Sequence, residues 1–301
     1  MTHWRTASID LITRMIISEI DFHIEGHQLR RTIFDPPNGI KTRAACLFTH
    51  GQGDNSGRYK DVLHPFTEAG IRCISVDLLG HGMSSGRRGN CGNIKFVDQI
   101  IQNNLDLIGA LPYGIAGHSM GGLLTLRHLS LALEGKLPKP AFCWVNSPLL
   151  NPAQNRSALF VKLALTLAKI APNVSIKTGA SAELCRTPDD SIIGDSKALS
   201  LMNSIHGHQK ISIGWGAELI NISRYIYSVL PEHNSDIPFL FSQGDSDLIC
   251  PHSIAEGFYA QLNFSNKRLE IFTNMRHETF AEPNKEELFK ALREWISQLD
   301  L

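Results

Sequence analysis

The stretch Gly114-Ile115-Ala116-Gly117-His118-Ser119-Met120-Gly121-Gly122 holds a serine with glycine two residues away on either side. That spacing has a steric reason. A nucleophilic serine on a sharp strand-to-helix turn leaves no room for a side chain at either glycine, because neighbouring elements crowd both positions. The apolar lead-in Tyr113–Ala116 reads as the strand, and the run Leu123–Leu129, free of Pro and Gly, reads as the helix. A bare Gly-x-Ser-x-Gly is common by chance, so its meaning depends on what surrounds it.

Upstream, Ala44–Thr49 is a short apolar run ending in His50-Gly51-Gln52-Gly53, the pattern of a strand buried on both faces. Arg58–Ala69 has helical spacing closed by Gly70, and Ile71–Val76 is the next strand, ending at Asp77. A helix from about Phe96 to Ala110 then leads to the serine strand. Alternation of this kind predicts a parallel sheet with right-handed crossovers. Ahead of it, Glu19–Ile24 and Leu29–Phe34 read as an antiparallel hairpin, and Ile9–Ile17 as a short helix.

Downstream, Ala141–Asn146 is a further buried strand, after which the rhythm breaks. From Pro148 to Pro231 there is no clear strand, only helices with irregular spacers. The sheet resumes at Pro238–Gly244, followed by a helix His252–Leu262, a strand Lys267–Phe272 and a closing amphipathic helix Glu286–Leu299. The expected class is α/β: a mostly parallel central sheet with helices on both faces. Residues 1–148 plus 236–301 would form the core, with 149–235 inserted as a helical segment. Within that insertion, Ser157–Ala171 places Lys162, Thr166 and Lys169 on one narrow polar stripe among Leu, Phe, Ala and Ile. So broad an apolar surface predicts packing against the protein itself, with contact to lipid or a greasy substrate as the alternative.

Charge narrows the function. Lys plus Arg and Asp plus Glu both number 29, so the formal net charge is zero and no basic footprint for nucleic acid exists. The six cysteines are scattered without a C-x-x-C pair, which speaks against a disulfide framework or a structural zinc site; no metal or cofactor is called for. The N-terminus lacks a basic segment followed by an apolar core, and no window of ~18 uncharged apolar residues occurs. The expectation is a cytoplasmic protein without signal peptide or transmembrane helix, whose inserted segment offers peripheral membrane contact. The sequence does not set an oligomeric state.

A serine hydroxyl is a poor nucleophile at neutral pH and needs a base, commonly a histidine oriented by a carboxylate. In α/β-hydrolase topology the chain order is Ser, Asp or Glu, His, each at the C-terminal end of a strand. Of thirteen histidines, His277 alone combines strand-end placement with that order. His50, His81 and His118 sit in glycine-rich loops that they would shape, and His252 falls on a helix. For the acid, spacing leaves Asp245 and Asp247 nearly level. Asp77 precedes the serine and is read as a brace for nearby loops. The developing oxyanion needs donors, each worth roughly 3 kcal/mol of barrier. The Met120 N–H is one, and the Gln52 N–H in the glycine-rich loop after the first parallel strand is the second by position.

These residues resemble a serine α/β-hydrolase of the monoacylglycerol lipase and lysophospholipase group. The resemblance is carried by His50-Gly51-Gln52-Gly53-Asp54-Asn55-Ser56-Gly57-Arg58-Tyr59, by Asp77–Gly89, by Gly117–Gly122, by Asn146-Ser147-Pro148, by Gln243–Asp247 and by His277-Glu278. The group's pattern of glycine, two residues and aspartate falls on Gly244 and Asp247, which selects Asp247 as the acid. The resemblance implies a catalytic triad of Ser119, His277 and Asp247, an acyl-enzyme intermediate, and a helical cap over the pocket with a mobile amphipathic helix. It also implies lipid-like acyl esters as substrates, monoacylglycerols or lysophospholipids among them. An acyltransferase or amidase would use the same triad, and a non-catalytic binding protein would not need all of it. Leu163 and Leu167 are candidate substrate contacts in the cap. Cys250 matches a cysteine near the pocket in some relatives, or is a thiol packed at a helix start. The chain departs from the group most in the cap, where only Glu183-Leu184 and a following Arg-x-Pro-Asp segment match, and at Gln52, where many relatives carry a small residue.

Overall fold

A computed structural model describes residues 14–154, 156–187 and 207–301, together with the backbone of residues 3–9. Its centre is a nine-stranded sheet. The strands β1 (His3–Ile9), β2 (Ile16–Ile24), β3 (His27–Asp35), β4 (Ala44–Thr49), β5 (Ile71–Asp77), β6 (Tyr113–His118) and β7 (Cys143–Asn146) come before the inserted segment. After it come β11 (Phe239–Gly244) and β13 (Lys267–Phe272). The order across the sheet is β1-β2-β3-β5-β4-β6-β7-β11-β13. The three N-terminal strands run antiparallel to their neighbours, and every pairing from β5 to β13 is parallel. β4, β6, β7 and β11 are almost wholly buried, as their unbroken apolar character requires.

Helices cover both faces. On one lie α1 (Lys60–Glu68) and the C-terminal α8 (Glu286–Ile296). α8 buries Leu288, Phe289, Leu292, Trp295 and Ile296, a single stripe at helical spacing, with Trp295 edge-on to Phe142. Fully burying one such side chain is worth about 1.5–3 kcal/mol, so this stripe alone suffices to seat the helix. The other face holds α2 (Ile94–Ile108), α3 (Met120–Leu133) and α7 (His252–Gln261). α2 starts where the Asn93 side chain accepts from Phe96 N–H, an N-cap that satisfies one orphan donor of its first turn. α3 has almost no polar face because it lies between the sheet and an overlying helix, α6 (Ile213–Val229).

Between β7 and β11 the chain leaves the sheet. It lays down α4 (Ala158–Ile170), β8 (Ser175–Lys177), the short α5 (Ala182–Cys185), β9 (Lys210–Ser212) and then α6. β10 (Asn234–Ser235) pairs with β12 (Asn263–Phe264) as a small parallel ladder beside the sheet.

Three expectations need correction. The described ends of the helix expected over Ile9–Ile17 are strand instead: Ile9 and Ile16 face each other across the antiparallel β1–β2 pair, while residues 10–13 lie outside the described residues. The inserted segment is not strand-free, since β8 and β9 pair antiparallel over three residues each. The Pro188 and Asp189 of the Arg-x-Pro-Asp match lie outside the described residues.

The third correction concerns α4. Its N-cap is Ser157, whose side chain accepts from Phe160 N–H. Its apolar surface, however, does not pack into the protein: the helix buries no residue fully, and Leu159 and Ile170 are 78% and 76% exposed. α4 rests on α6 along one edge and leaves the rest of its apolar circumference open. Among the described residues, no helix is long and apolar enough to cross a membrane.

Candidate active site

The parallel strands deliver the candidate residues to one edge of the sheet, at their C-terminal ends. β6 ends at His118, and Ser119 follows with φ 55° and ψ −119°, a conformation that side-chain-bearing residues rarely adopt. The flanking glycines are sterically required. A Cβ on Gly117 would lie 2.4 Å from the Gly121 carbonyl oxygen, and one on Gly121 only 1.9 Å from the Thr49 carbonyl oxygen. Both obstacles are backbone, so neither could move aside without displacing β4 or α3.

The Ser119 Oγ lies 2.9 Å from His277 Nε2, and His277 Nδ1 lies 2.7 Å from Asp247 Oδ2. In this arrangement Nδ1–H donates to the carboxylate and Nε2 accepts the serine proton, a tautomer assigned from the hydrogen-bond partners. All three side chains are buried. Asp247 is held by three further donors: Ile249 N–H and Cys250 N–H to Oδ1, and Gln243 Nε2 to Oδ2, each at 2.8 Å. Asp245 points elsewhere. Its Oδ1 accepts from Asn274 N–H at 2.8 Å and from the Ser246 hydroxyl, tying together the two loops that carry Asp247 and His277.

Burial by itself would push the His277 imidazole down, but the adjacent Asp247 carboxylate and the Cys250 sulfur together more than offset it, and the group lies well above the ordinary value. His118, whose ring centroid is 4.7 Å from that of His277, goes the other way. Its burial, with His277 and Arg58 nearby, holds it well below the usual range, so it is neutral and accepts from the Asn146 amide. Cys250 packs behind the pair, its thiol pushed up by burial. The ligand-capable atoms of Asp247, Cys250 and His277 lie within 4.8 Å of one another, the one such group among the described residues that could accept a metal ion. Two of its three members are already hydrogen-bonded to each other.

Of the backbone N–H groups beside Ser119, some are already used. Tyr59 hydroxyl donates to Asp54 at 2.7 Å and accepts from Gly51 N–H at 3.1 Å, so the Gly51 donor is occupied. The next N–H, that of Gln52, makes no hydrogen bond among the described residues. Met120 is the first residue of α3, where an N–H has no intrahelical acceptor, and Ser119 provides no side-chain cap.

Among the supporting residues, Arg58 carried no distinguishing sequence signal of its own. Arg58 bridges Asp54 at 2.9 Å and Glu278 at 2.7 Å, linking the glycine-rich loop to the residue after His277. Asp77, as expected, braces loops, accepting from Ser56 N–H and Met83 N–H. His50 accepts from Leu78 N–H, and His252 bonds the Asp245 carbonyl. Neither is near the serine pair by any such contact.

Ser119 and His277 open onto a cavity of about 910 Å³. Its lining from the inserted segment is largely apolar, with Phe160, Leu163 and Leu167 of α4, Ile176 and Leu184, alongside polar groups such as Arg156 and Lys177. Leu163 and Leu167 are 56% and 41% exposed, so α4 has one side toward the cavity and another toward solvent.

Comparison with known proteins agrees with this layout. A family profile described as serine aminopeptidase, S33, matches residues 40–284. An abhydrolase domain-containing protein of Dictyostelium discoideum is 31% identical over 265 residues, covering 86% of this chain and 27% of that one; the chain thus spans about a quarter of that relative's length. A monoacylglycerol lipase of Mycolicibacterium smegmatis is 24% identical over 264 residues, 84% of this chain and 88% of that one. The crystal structure of Paleococcus ferrophilus monoacylglycerol lipase superposes with a TM-score of 0.77 at 25% identity, over 90% of this chain and 99% of that one. With the profile spanning both the serine turn and the His277 loop, the chain belongs to the serine aminopeptidase S33 family of α/β-hydrolase-fold serine hydrolases.

Proposed function

We propose that the protein is a carboxylic-ester hydrolase for lipid-like acyl esters, in which Ser119 is the nucleophile, His277 the base and Asp247 its orienting acid. The carrying observation is the unbroken hydrogen-bond chain from Ser119 through His277 to Asp247 at the wall of a large cavity with a largely apolar lining. Ser119 Oγ attacks the acyl carbonyl carbon while its proton passes to His277 Nε2. The carbonyl oxygen becomes an oxyanion between the N–H groups of Gln52 and Met120. As the tetrahedral adduct collapses, the alcohol leaves with the proton from His277, and the acyl group stays on Ser119. Water then repeats the cycle: His277 takes its proton, the hydroxide adds to the acyl carbon, and the serine departs reprotonated.

Monoacylglycerols are the favoured substrates, lysophospholipids the nearest relatives. The relatives' names supply the class, and the cavity supplies the fit, since 910 Å³ with largely apolar walls accommodates an acyl chain whose ester lies beside Ser119. Residues 149–235 act as a cap, and the open side of α4 contacts lipid surfaces. Leu159 and Ile170 give that side its apolar character and Lys162 and Lys169 its positive charge. Asp245→Asn and Asp247→Asn, made singly, test the acid. On a monoacylglycerol substrate Asp247→Asn should lower kcat about 10³-fold or more and Asp245→Asn far less; the reverse order would overturn the assignment.

A further inference from the structure

The two residues that offer the oxyanion donors share one further partner. Trp215, on the first turn of α6 and fully buried, directs its indole N–H to Gln52 Oε1 at 3.2 Å and to Met120 Sδ at 3.2 Å. The Gln52 amide is held at its other end as well, its Nε2 donating to the Lys210 carbonyl of β9 at 2.8 Å. Around it, His208 N–H donates to the Gly53 carbonyl at 2.9 Å, and a Cβ on Gly53 would lie 1.9 Å from the His208 carbonyl oxygen. The glycine-rich loop is therefore seated against the inserted segment.

We propose that Trp215 is a positioning residue for the oxyanion hole, acting through the side chains of Gln52 and Met120. This rests on the reading of Ser119 as nucleophile and of the Gln52 and Met120 N–H groups as oxyanion donors. The two donors differ in what fixes them. Met120 N–H is aimed by the start of α3, which is anchored along its whole length. Gln52 lies between two glycines in a loop; the Gly51 carbonyl of its own peptide accepts from Asp54 N–H at 3.3 Å and lies 2.8 Å from His50 Nδ1, and the Gln52 side chain adds the only hydrogen bonds among the described residues that tie this peptide's residue to the inserted segment. The side chain of this half-buried glutamine is held at both ends, by the indole and by the Lys210 carbonyl, which fixes the residue's position more tightly than the loop's backbone contacts alone. A tryptophan that merely filled the core would need only some acceptor for its N–H. This one uses side chains of both oxyanion residues, and thereby makes the aim of the Gln52 N–H depend on the seating of α6 and β9.

The test compares Trp215→Phe, which keeps a ring and removes the N–H, with Gln52→Leu, which keeps size and removes both side-chain bonds. Each is assayed for kcat and KM on a monoacylglycerol and for inhibition by an alkyl boronic acid, which forms a tetrahedral adduct. In each variant kcat should fall about tenfold, with boronate affinity falling in parallel and KM within about twofold of wild type. The double variant should lose clearly less than the product of the two single losses, since both singles remove the Trp215–Gln52 bond. Wild-type kcat in both singles, losses confined to KM, or fully additive losses would overturn the proposal. If Trp215→Phe does not fold, the kcat and boronate loss in Gln52→Leu decides. Ser119→Ala separates the two readings. Activity retained there removes the nucleophile itself, whereas an inactive Ser119→Ala beside fully active Trp215→Phe and Gln52→Leu removes only the positioning role.

Discussion

His277 is subject to two opposed influences, and in the proposed mechanism their balance decides the pH at which the enzyme works. Burial resists a charged imidazole, Asp247 at 2.7 Å favours it, and the neutral His118 beside it adds no competing charge. Because the folded-state value is raised, the imidazole is protonated and unable to accept the serine proton below it. The acid limb of kcat/KM should therefore rise with pH through a midpoint above the ordinary histidine value of 6.5. A pH-rate profile checks this; a midpoint below 6.5 would mean that burial, not the carboxylate, dominates. At this scale the sequence was informative about residue type and order, and silent about partners. Spacing left Asp245 and Asp247 level because both follow β11 by a few residues. What separates them is the direction each carboxylate takes out of the loop, toward His277 or toward Asn274 N–H. Arg58 and Trp215 were illegible for a similar reason, since their partners lie 220 and 163 residues away in the chain.

Elements buried on both faces were legible nearly to the residue, as with Ala44–Thr49 and the strand read over Pro238–Gly244, because a short, mostly apolar run admits few other structures. The misread elements share a different physics. β1 pairs only with β2 at the sheet edge, so its structure is decided by a partner strand rather than by its own pattern. β8 and β9 are three residues each, joined across more than thirty intervening residues, too short and too distant for local propensity to reveal. α4 was legible as a helix and misleading as a core helix. A narrow polar face records that something apolar covers the rest, without recording whether that is protein, substrate or lipid. If its cavity side holds the acyl chain, replacing Leu163 and Leu167 together with Ser should reduce kcat/KM for long-chain esters about tenfold or more, and for short-chain esters within about twofold, since each buried methylene is worth about 0.8 kcal/mol. Equal losses across chain lengths would indicate lost stability instead.

At the scale of the whole molecule, the sheet gathers residues from four separate loops onto one edge, and the inserted segment closes the space above them. Ser119, His277 and Asp247 come from the ends of β6, β13 and β11, Gln52 from the end of β4, and the far walls of the cavity from residues inserted between β7 and β11. The order of these strands in the sheet follows from alternating elements and handed crossovers, which is why the core could be anticipated from the sequence. The inserted segment obeys no such rule, and its structure is correspondingly the least legible feature. The central claim is that this assembly activates one particular serine. Reaction of the full chain with a fluorophosphonate, followed by peptide mapping, tests it directly. A single adduct on Ser119, absent in Ser119→Ala, is the predicted result; an adduct on another residue, or none on the wild type, would contradict it.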